Sequence, residues 1–329
     1  MLATPPISRP APREVAARTV TEPIAPLPPG PTLDPDRVAL GERLFRDPRL
    51  SSGNRRSCAA CHPLDRAGMD AQPRAIAADG KTQLRNTPTV FNVAFEFFLN
   101  WDGAAETLEQ HAALVLLNPD LMNTTWPEVL AKLRADGAYA AAFRGAYADG
   151  LTERNVLDAL ATFQRSLQTP DAPFDRYLRG DERALTTAEA RGYQLFKSYG
   201  CVTCHQGVNV GGNMFQRFGV FPAAAVPRGA SEAQRYTEPD AGRFRVTGAP
   251  RDRGVFRVPS LRNVAVTAPY FHDGRAATLE SAVDTMAKVQ LGRTLKADEI
   301  DLIVQFLRTL TGRYRGAPLA SPGATTRDR

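Results

Sequence analysis

The sequence predicts a mainly α-helical protein built in two halves with long loops, and three observations carry that reading. Apolar residues recur at helical spacing in several stretches, while strand patterns are few. The motif Cys-x-x-Cys-His occurs twice, as Cys58-Ala59-Ala60-Cys61-His62 and Cys201-Val202-Thr203-Cys204-His205, one copy in each half. A spaced block is also repeated: Leu84-Arg85-Asn86 precedes Asp102-Gly103-x-x-x-Thr107-Leu108-Glu109, and Leu261-Arg262-Asn263 precedes Asp273-Gly274-x-x-x-Thr278-Leu279-Glu280. The shared order and identical spacing favour an internal duplication.

Residues 1–32 are proline-rich with little apolar periodicity, so they read as an extended arm without a core. Asp34 followed by Pro35 has the form of a helix start, and Val38, Leu40, Leu44 and Phe45 give that helix an apolar face. A second helix begins at Thr152, carries Val156, Leu157, Leu160, Phe163 and Leu167, and closes at Pro170. Thr187 is the expected cap of a helix bearing Tyr193 and Phe196, after which Gly200 opens the second cysteine motif. Thr278 caps the next helix, and the last runs from about Ala297 to Leu310 and ends at Gly312. The resulting division is an arm (1–32), two domains (33–180 and 181–315) and a tail (316–329).

The two motifs use all four cysteines. Cys-x-x-Cys-His is the attachment signature of c-type haem: the thiols form two thioether bonds and the adjoining histidine ligates the iron. A redox dithiol or half of a zinc site needs no histidine after the second cysteine in both copies. A chain of 329 residues buries a core without disulfide staples. Two covalently bound haems in two cytochrome c-like domains are therefore expected, bound through Cys58, Cys61 and His62 and through Cys201, Cys204 and His205.

The distal faces of the two irons read differently. After the second repeat block the chain continues to Met286, a candidate sixth ligand whose thioether raises a haem's potential. The alternative is a methionine that fills core space. Counting from Glu109 as from Glu280 puts Val115 at the matching place, and valine cannot ligate iron. His111 stands where the second repeat has Ala282. It is a candidate acid–base group, an iron ligand, or a structural histidine. The four histidines are His62, His111, His205 and His272, and none lies between His62 and His111. The first iron is thus expected to be open to peroxide.

The net charge of +6 fits an acidic partner or a solvated basic surface, and nothing in it calls for nucleic acid. No apolar run is long enough to span a bilayer, so an integral membrane protein is not expected. Haem attachment chemistry points to the periplasm, while the N-terminus lacks the apolar core of a secretory signal, as in a mature or recombinant form.

With GERLFRDPRLS, SCAACH, RNTPTVFN, WDG, CVTCH and GVFRVPSLRNVAVTAPYFHDGR in that order over about residues 33–315, the chain resembles the bacterial dihaem cytochrome c peroxidase and MauG superfamily. The resemblance implies a peroxide-reacting N-terminal haem and an electron-transfer C-terminal haem, with His62 and His205 proximal and Met286 distal on the second iron. It places Trp101 between the haems as an electron or hole relay, and makes Asn86, Thr267 and Pro269 the positions whose oxygens hold an inter-domain calcium. Three departures matter. Ala78 stands where many relatives have a histidine that must leave the iron on activation. His111 stands at the family's pocket glutamine, and Leu121 at its acidic residue, which leaves His111 and then Asp120 as acid–base candidates.

MauG itself has tyrosine where this chain has Met286, so an MbnH-like member is the nearer comparison. The expected function is then a peroxide-dependent dihaem oxidoreductase that forms a high-valent haem state and oxidises a residue, tryptophan first, on a periplasmic partner protein. The alternative is a dihaem cytochrome c peroxidase that reduces hydrogen peroxide with electrons from a small cytochrome or cupredoxin. A plain electron carrier would require both irons to be closed.

Overall fold

Asp34 accepts the backbone N–H groups of Asp36 and Arg37, and Pro35 opens α1 (Pro35–Arg46), whose Leu40, Leu44 and Phe45 are buried. The computed structural model describes residues 22–77, 80–221 and 237–320. Ala78 lies outside them.

The first motif forms the short α2 (Cys58–Cys61). There follow α3 (Leu108–Leu117), α4 (Trp126–Arg134), α5 (Gly137–Ala146), α6 (Glu153–Ser166) and α7 (Pro173–Leu178). The second half has α8 (Thr187–Ser198), α9 (Phe244–Thr247), α10 (Leu279–Leu291) and α11 (Ala297–Arg308). Strand structure among the described residues is limited to two antiparallel pairs. In one, β1 (Phe215–Arg217) meets β2 (Val255–Arg257); in the other, β3 (Arg313–Tyr314) meets β4 (Ala317–Pro318). The mainly α expectation holds. The cap of α8 is Thr186 rather than Thr187, in a capping box with Glu189, and α11 ends at Arg308, two residues before the expected limit.

Each half has its own apolar core, organised on a crossed pair of helices. In the first, α1 packs on α6, with Phe45 and Phe163 ring centroids 5.3 Å apart. A side chain at Gly41 would collide with the Ala159 carbonyl, so glycine is what lets these backbones approach. In the second, α8 packs on α11, with Phe196 and Phe306 at 5.2 Å. Gly192 meets the Leu302 carbonyl in the same way.

Three segments depart from the expected boundaries. Ile24 and Leu27, placed in a coreless arm, are buried at 1% and 3% exposure, and Ile24 belongs to the second core. Backbone hydrogen bonds hold this stretch, with Gly207 N–H donating to the Pro23 carbonyl and Leu27 N–H to Asp175 Oδ1. Pro23 and Pro26 restrict the backbone, and Ile24 and Leu27, three positions apart, are buried against distant parts of the chain that no periodicity count could reveal. Phe174 of α7 also packs into the second core, although it precedes residue 181. Tyr314, expected in the second domain, and Leu319 of the tail both pack against the first core.

The two Leu-Arg-Asn tripeptides do not correspond in conformation. Asn263 matches Asn92, not Asn86, in conformation: both are left-handed, with φ of 63° and 60°, and both precede a single 3-10 turn. The Asn92 N–H donates to the Leu167 carbonyl (2.8 Å) and the Asn263 N–H to the Leu310 carbonyl (3.1 Å). Both side-chain amides then donate to the Thr169 hydroxyl, at 2.7 and 3.0 Å, joining the halves through a buried polar knot. Buried polar groups with satisfied hydrogen bonds specify one arrangement of their surroundings.

Candidate functional site

One cavity of about 1530 Å³ lies between the halves and receives both cysteine motifs. Single-ligand pockets run to about 300–1,000 Å³. Cys58, Cys61 and His62 line it, as do Cys201, Cys204, His205 and Met286. None of the four cysteines is in a disulfide. Burial pushes the Cys58 thiol up to about 12 and the Cys201 thiol to about 11, far from the low-pKa thiolates of redox dithiols.

Both motif histidines are prepared for iron. His62 Nδ1 lies 3.0 Å from the Gly68 carbonyl and His205 Nδ1 3.3 Å from the Val210 carbonyl. A carbonyl only accepts, so Nδ1 carries the hydrogen and Nε2 is left with the lone pair. Burial lowers the pKa of both, His205 to about 4, which favours the neutral ligating form. An apolar cavity of two-haem size with two pre-oriented imidazoles fits the group that the motifs imply.

The cavity walls differ at matched places. Thr107 caps α3 and Thr278 caps α10, each after a corner closed by a β-bridge: Leu99 with Ala105, and Tyr270 with Ala276. Along these helices His111 and Val115 line the cavity on one side, and Ala282 and Met286 on the other. Burial first, then the charges of His62 and Arg257, hold His111 down at about 4, so its ring is neutral at pH 7. Its Nε2 lies 3.0 Å from Asn100 Oδ1. Leu121 also lines the cavity. Asp120 sits exposed on the rim in the turn after α3, its N–H bound to Asn118 Oδ1.

Trp101 stands on the seam between the halves. Its indole Nε1–H donates to the Asn86 carbonyl (2.9 Å), its own carbonyl accepts from Arg257 N–H (2.9 Å), and its ring meets His272 edge-on. Three residues here had no clear signal in the sequence. Arg257 forms a buried ion pair with Glu96 and donates from Nε to the Asn100 carbonyl (3.0 Å). Burial pushes Glu96 up, opposed by Arg257. His272 is 1% exposed, stacks on Phe256 and bonds Asp240 at 2.9 Å.

Asn86, Thr267 and Pro269 all line the cavity. Asn86 Nδ2 donates to the Gln72 carbonyl, which leaves its amide oxygen as an acceptor. Asp240, His272 and Asp273 form another group of ligand-type atoms within 4.8 Å. Arg275 already bridges its carboxylates, reaching Asp240 at 2.9 Å and Asp273 at 2.6 Å. Burial pushes Asp240 up, but His272, Thr237 and Arg275 together hold it well below the usual carboxylate range. This group is an ion-pair network.

A mainly α scaffold that brings two Cys-x-x-Cys-His sites to one cavity defines a two-haem oxidoreductase. The family model described as di-haem cytochrome c peroxidase matches residues 35–183. Cytochrome c551 peroxidase of Nitrosomonas europaea is 42% identical over 293 residues, 88% of this chain and 84% of the relative. Cytochrome c peroxidase Ccp of Escherichia coli K12 is 41% identical over 305 residues, 92% of this chain, which spans only 64% of that relative. A solved structure of a MauG-like protein associated with microbial copper homeostasis superimposes with a TM-score of 0.74 at 31% identity, covering 88% of this chain and 93% of that one. The chain belongs to the di-haem cytochrome c peroxidase family, whose named members are haem oxidoreductases that use peroxide. Among the described residues no helix is long and apolar enough to cross a membrane.

Proposed function

We propose that this chain is a periplasmic, peroxide-dependent dihaem oxidoreductase that oxidises a residue, tryptophan foremost, on a partner protein. One observation carries the reading: His111 and Val115 face the cavity on one helix, Ala282 and Met286 at the matched places on the other. The matched corners, caps and glycine crossings support two halves related by duplication and then specialised. The first, residues 33–180, is assigned to peroxide; the second, 181–315, to electron transfer.

Bound covalently through the cysteine pairs, the haem irons would supply the redox chemistry. The chain's own part is positioning and proton handling. His62 and His205 would hold the two irons through Nε2, and Met286 would hold the second through its thioether. Val115, at the matched place, would offer the first haem no ligand atom. His111, neutral at pH 7, accepts a proton from one peroxide oxygen and returns it to the oxygen that departs as water. Trp101, hydrogen-bonded on both sides of the seam, is the aromatic through which oxidation passes toward the partner. The oxygens of Asn86, Thr267 and Pro269 are the proposed calcium ligands, with water completing the shell.

Anaerobic addition of stoichiometric peroxide to the diferric holoprotein tests this reading. An immediate change in the haem spectrum without prior reduction is the expected result, and an unchanged spectrum sinks it. The peroxidase relatives at 41–42% identity favour a second reading, reduction of hydrogen peroxide by electrons from a small cytochrome or cupredoxin. Rapid steady-state turnover with reduced cytochrome c would select that alternative. Slow turnover together with partner oxidation selects the first.

A further inference from the structure

We propose that Asn100 is a positioning residue that fixes the tautomer of His111, so that the ring meets peroxide with Nδ1 as its base. The proposal rests on the reading of His111 as the proton-transfer group. Asn100 Oδ1 lies 3.0 Å from His111 Nε2. An amide oxygen only accepts, so Nε2 carries the hydrogen and the lone pair belongs to Nδ1.

The corner that holds Asn100 is gripped from the other half of the molecule. Arg257, 4% exposed, donates from Nε to the Asn100 carbonyl at 3.0 Å, and Glu96 neutralises it. Asn209 Nδ2 in turn lies 3.4 Å from Glu96 Oε1. The groups whose charge reaches His111 are His62 and Arg257, with Glu96 behind Arg257.

A simpler account is that asparagine stands here because the turn is left-handed, with φ of 64°. The second half argues against it. Its matched corner residue is Phe271, at φ of 72°, and its matched helix residue is Ala282. The same turn therefore forms with a phenylalanine, a residue poorly suited to positive φ. What changes together between the halves is the hydrogen-bonded pair: asparagine with histidine where Val115 leaves the iron open, phenylalanine with alanine where Met286 stands.

Cyanide binding to the diferric holoprotein isolates this role, because hydrogen cyanide must give up its proton as the anion binds the open iron. In the proposal that proton goes to His111 Nδ1. Asn100→Gly keeps the left-handed turn and removes the acceptor; Asn100→Asp keeps both. We expect Asn100→Gly to slow cyanide association about tenfold and His111→Ala to slow it at least as much. Asn100→Asp should bind at or above the wild-type rate, and the unliganded haem spectra should be unchanged throughout. Wild-type rates for Asn100→Gly beside a slow His111→Ala overturn the assignment of Asn100 and leave that of His111 standing. Wild-type rates in both overturn the reading of His111, and this proposal with it.

Discussion

Trp101 and His272 occupy matched places in the two halves, each preceding an Asp-Gly pair, and their rings meet edge to face with centroids 6.3 Å apart. The contact closes a circuit across the seam: Trp101 Nε1–H donates to the Asn86 carbonyl, and Asn86 N–H donates to the His272 carbonyl at 2.8 Å. The cavity wall at this point belongs to neither half alone.

Replacing Trp101 with phenylalanine keeps the ring area and removes the indole bond to Asn86. We expect the first reaction with peroxide to proceed at close to the wild-type rate. Transfer of oxidation to the partner should fall by about tenfold or more, a loss of roughly 1.4 kcal/mol in the activation barrier. Stopped-flow spectra and mass analysis of the partner, taken together, separate the two steps.

His111→Ala should slow the peroxide reaction by about 10²–10⁴-fold. Wild-type reactivity should persist as pH falls until the ring protonates near 4. Folding responds with the same sign: the unfolded ring binds its proton near 6.5, so the stability due to neutral His111 is present above that value and falls between about 6.5 and 4. Rate and chemical-denaturation profiles against pH, compared between wild type and His111→Ala, check both statements.

Met286→Ala removes the proposed thioether ligand of the second iron. Its reduction potential should fall and its low-spin spectrum should give way to a high-spin one, while the first haem keeps its own. Potentiometric titration with magnetic spectroscopy reads both, and two unchanged haems would assign Met286 to packing.

Gly192→Ala should destabilise the second half by about 1–3 kcal/mol, because its methyl group meets the Leu302 carbonyl where α8 crosses α11. Gly41→Ala should do the same where α1 crosses α6. Thermal melts followed at the haem bands and in the far ultraviolet would show the loss.

Much of the site was legible because its chemistry is local in the chain. Cys58, Cys61 and His62 fall within five residues, as do Cys201, Cys204 and His205, and equal counting along two helices separated Val115 from Met286. Asn100, Arg257 and Glu96 were hidden for the opposite reason. Arg257 reaches Asn100 across 157 positions, and no spacing rule covers such a pair. The Leu-Arg-Asn repeat misled because a shared tripeptide carries no conformation; only the positive φ and the bonds to Leu167 and Leu310 pair Asn92 with Asn263.

The sequence by itself determined the cofactor class, several helices with their caps and apolar stripes, and the difference between Val115 and Met286 at matched places, since each depends on residues close together along the chain. Tertiary structure decided that Ile24 and Leu27 complete the second core, that Tyr314 and Leu319 return to the first, and that both haem sites share one cavity. It also brought Asn100 to His111 under the grip of Arg257. Those outcomes depend on which buried surfaces and buried polar groups find one another, a property of the packed chain that no local pattern encodes.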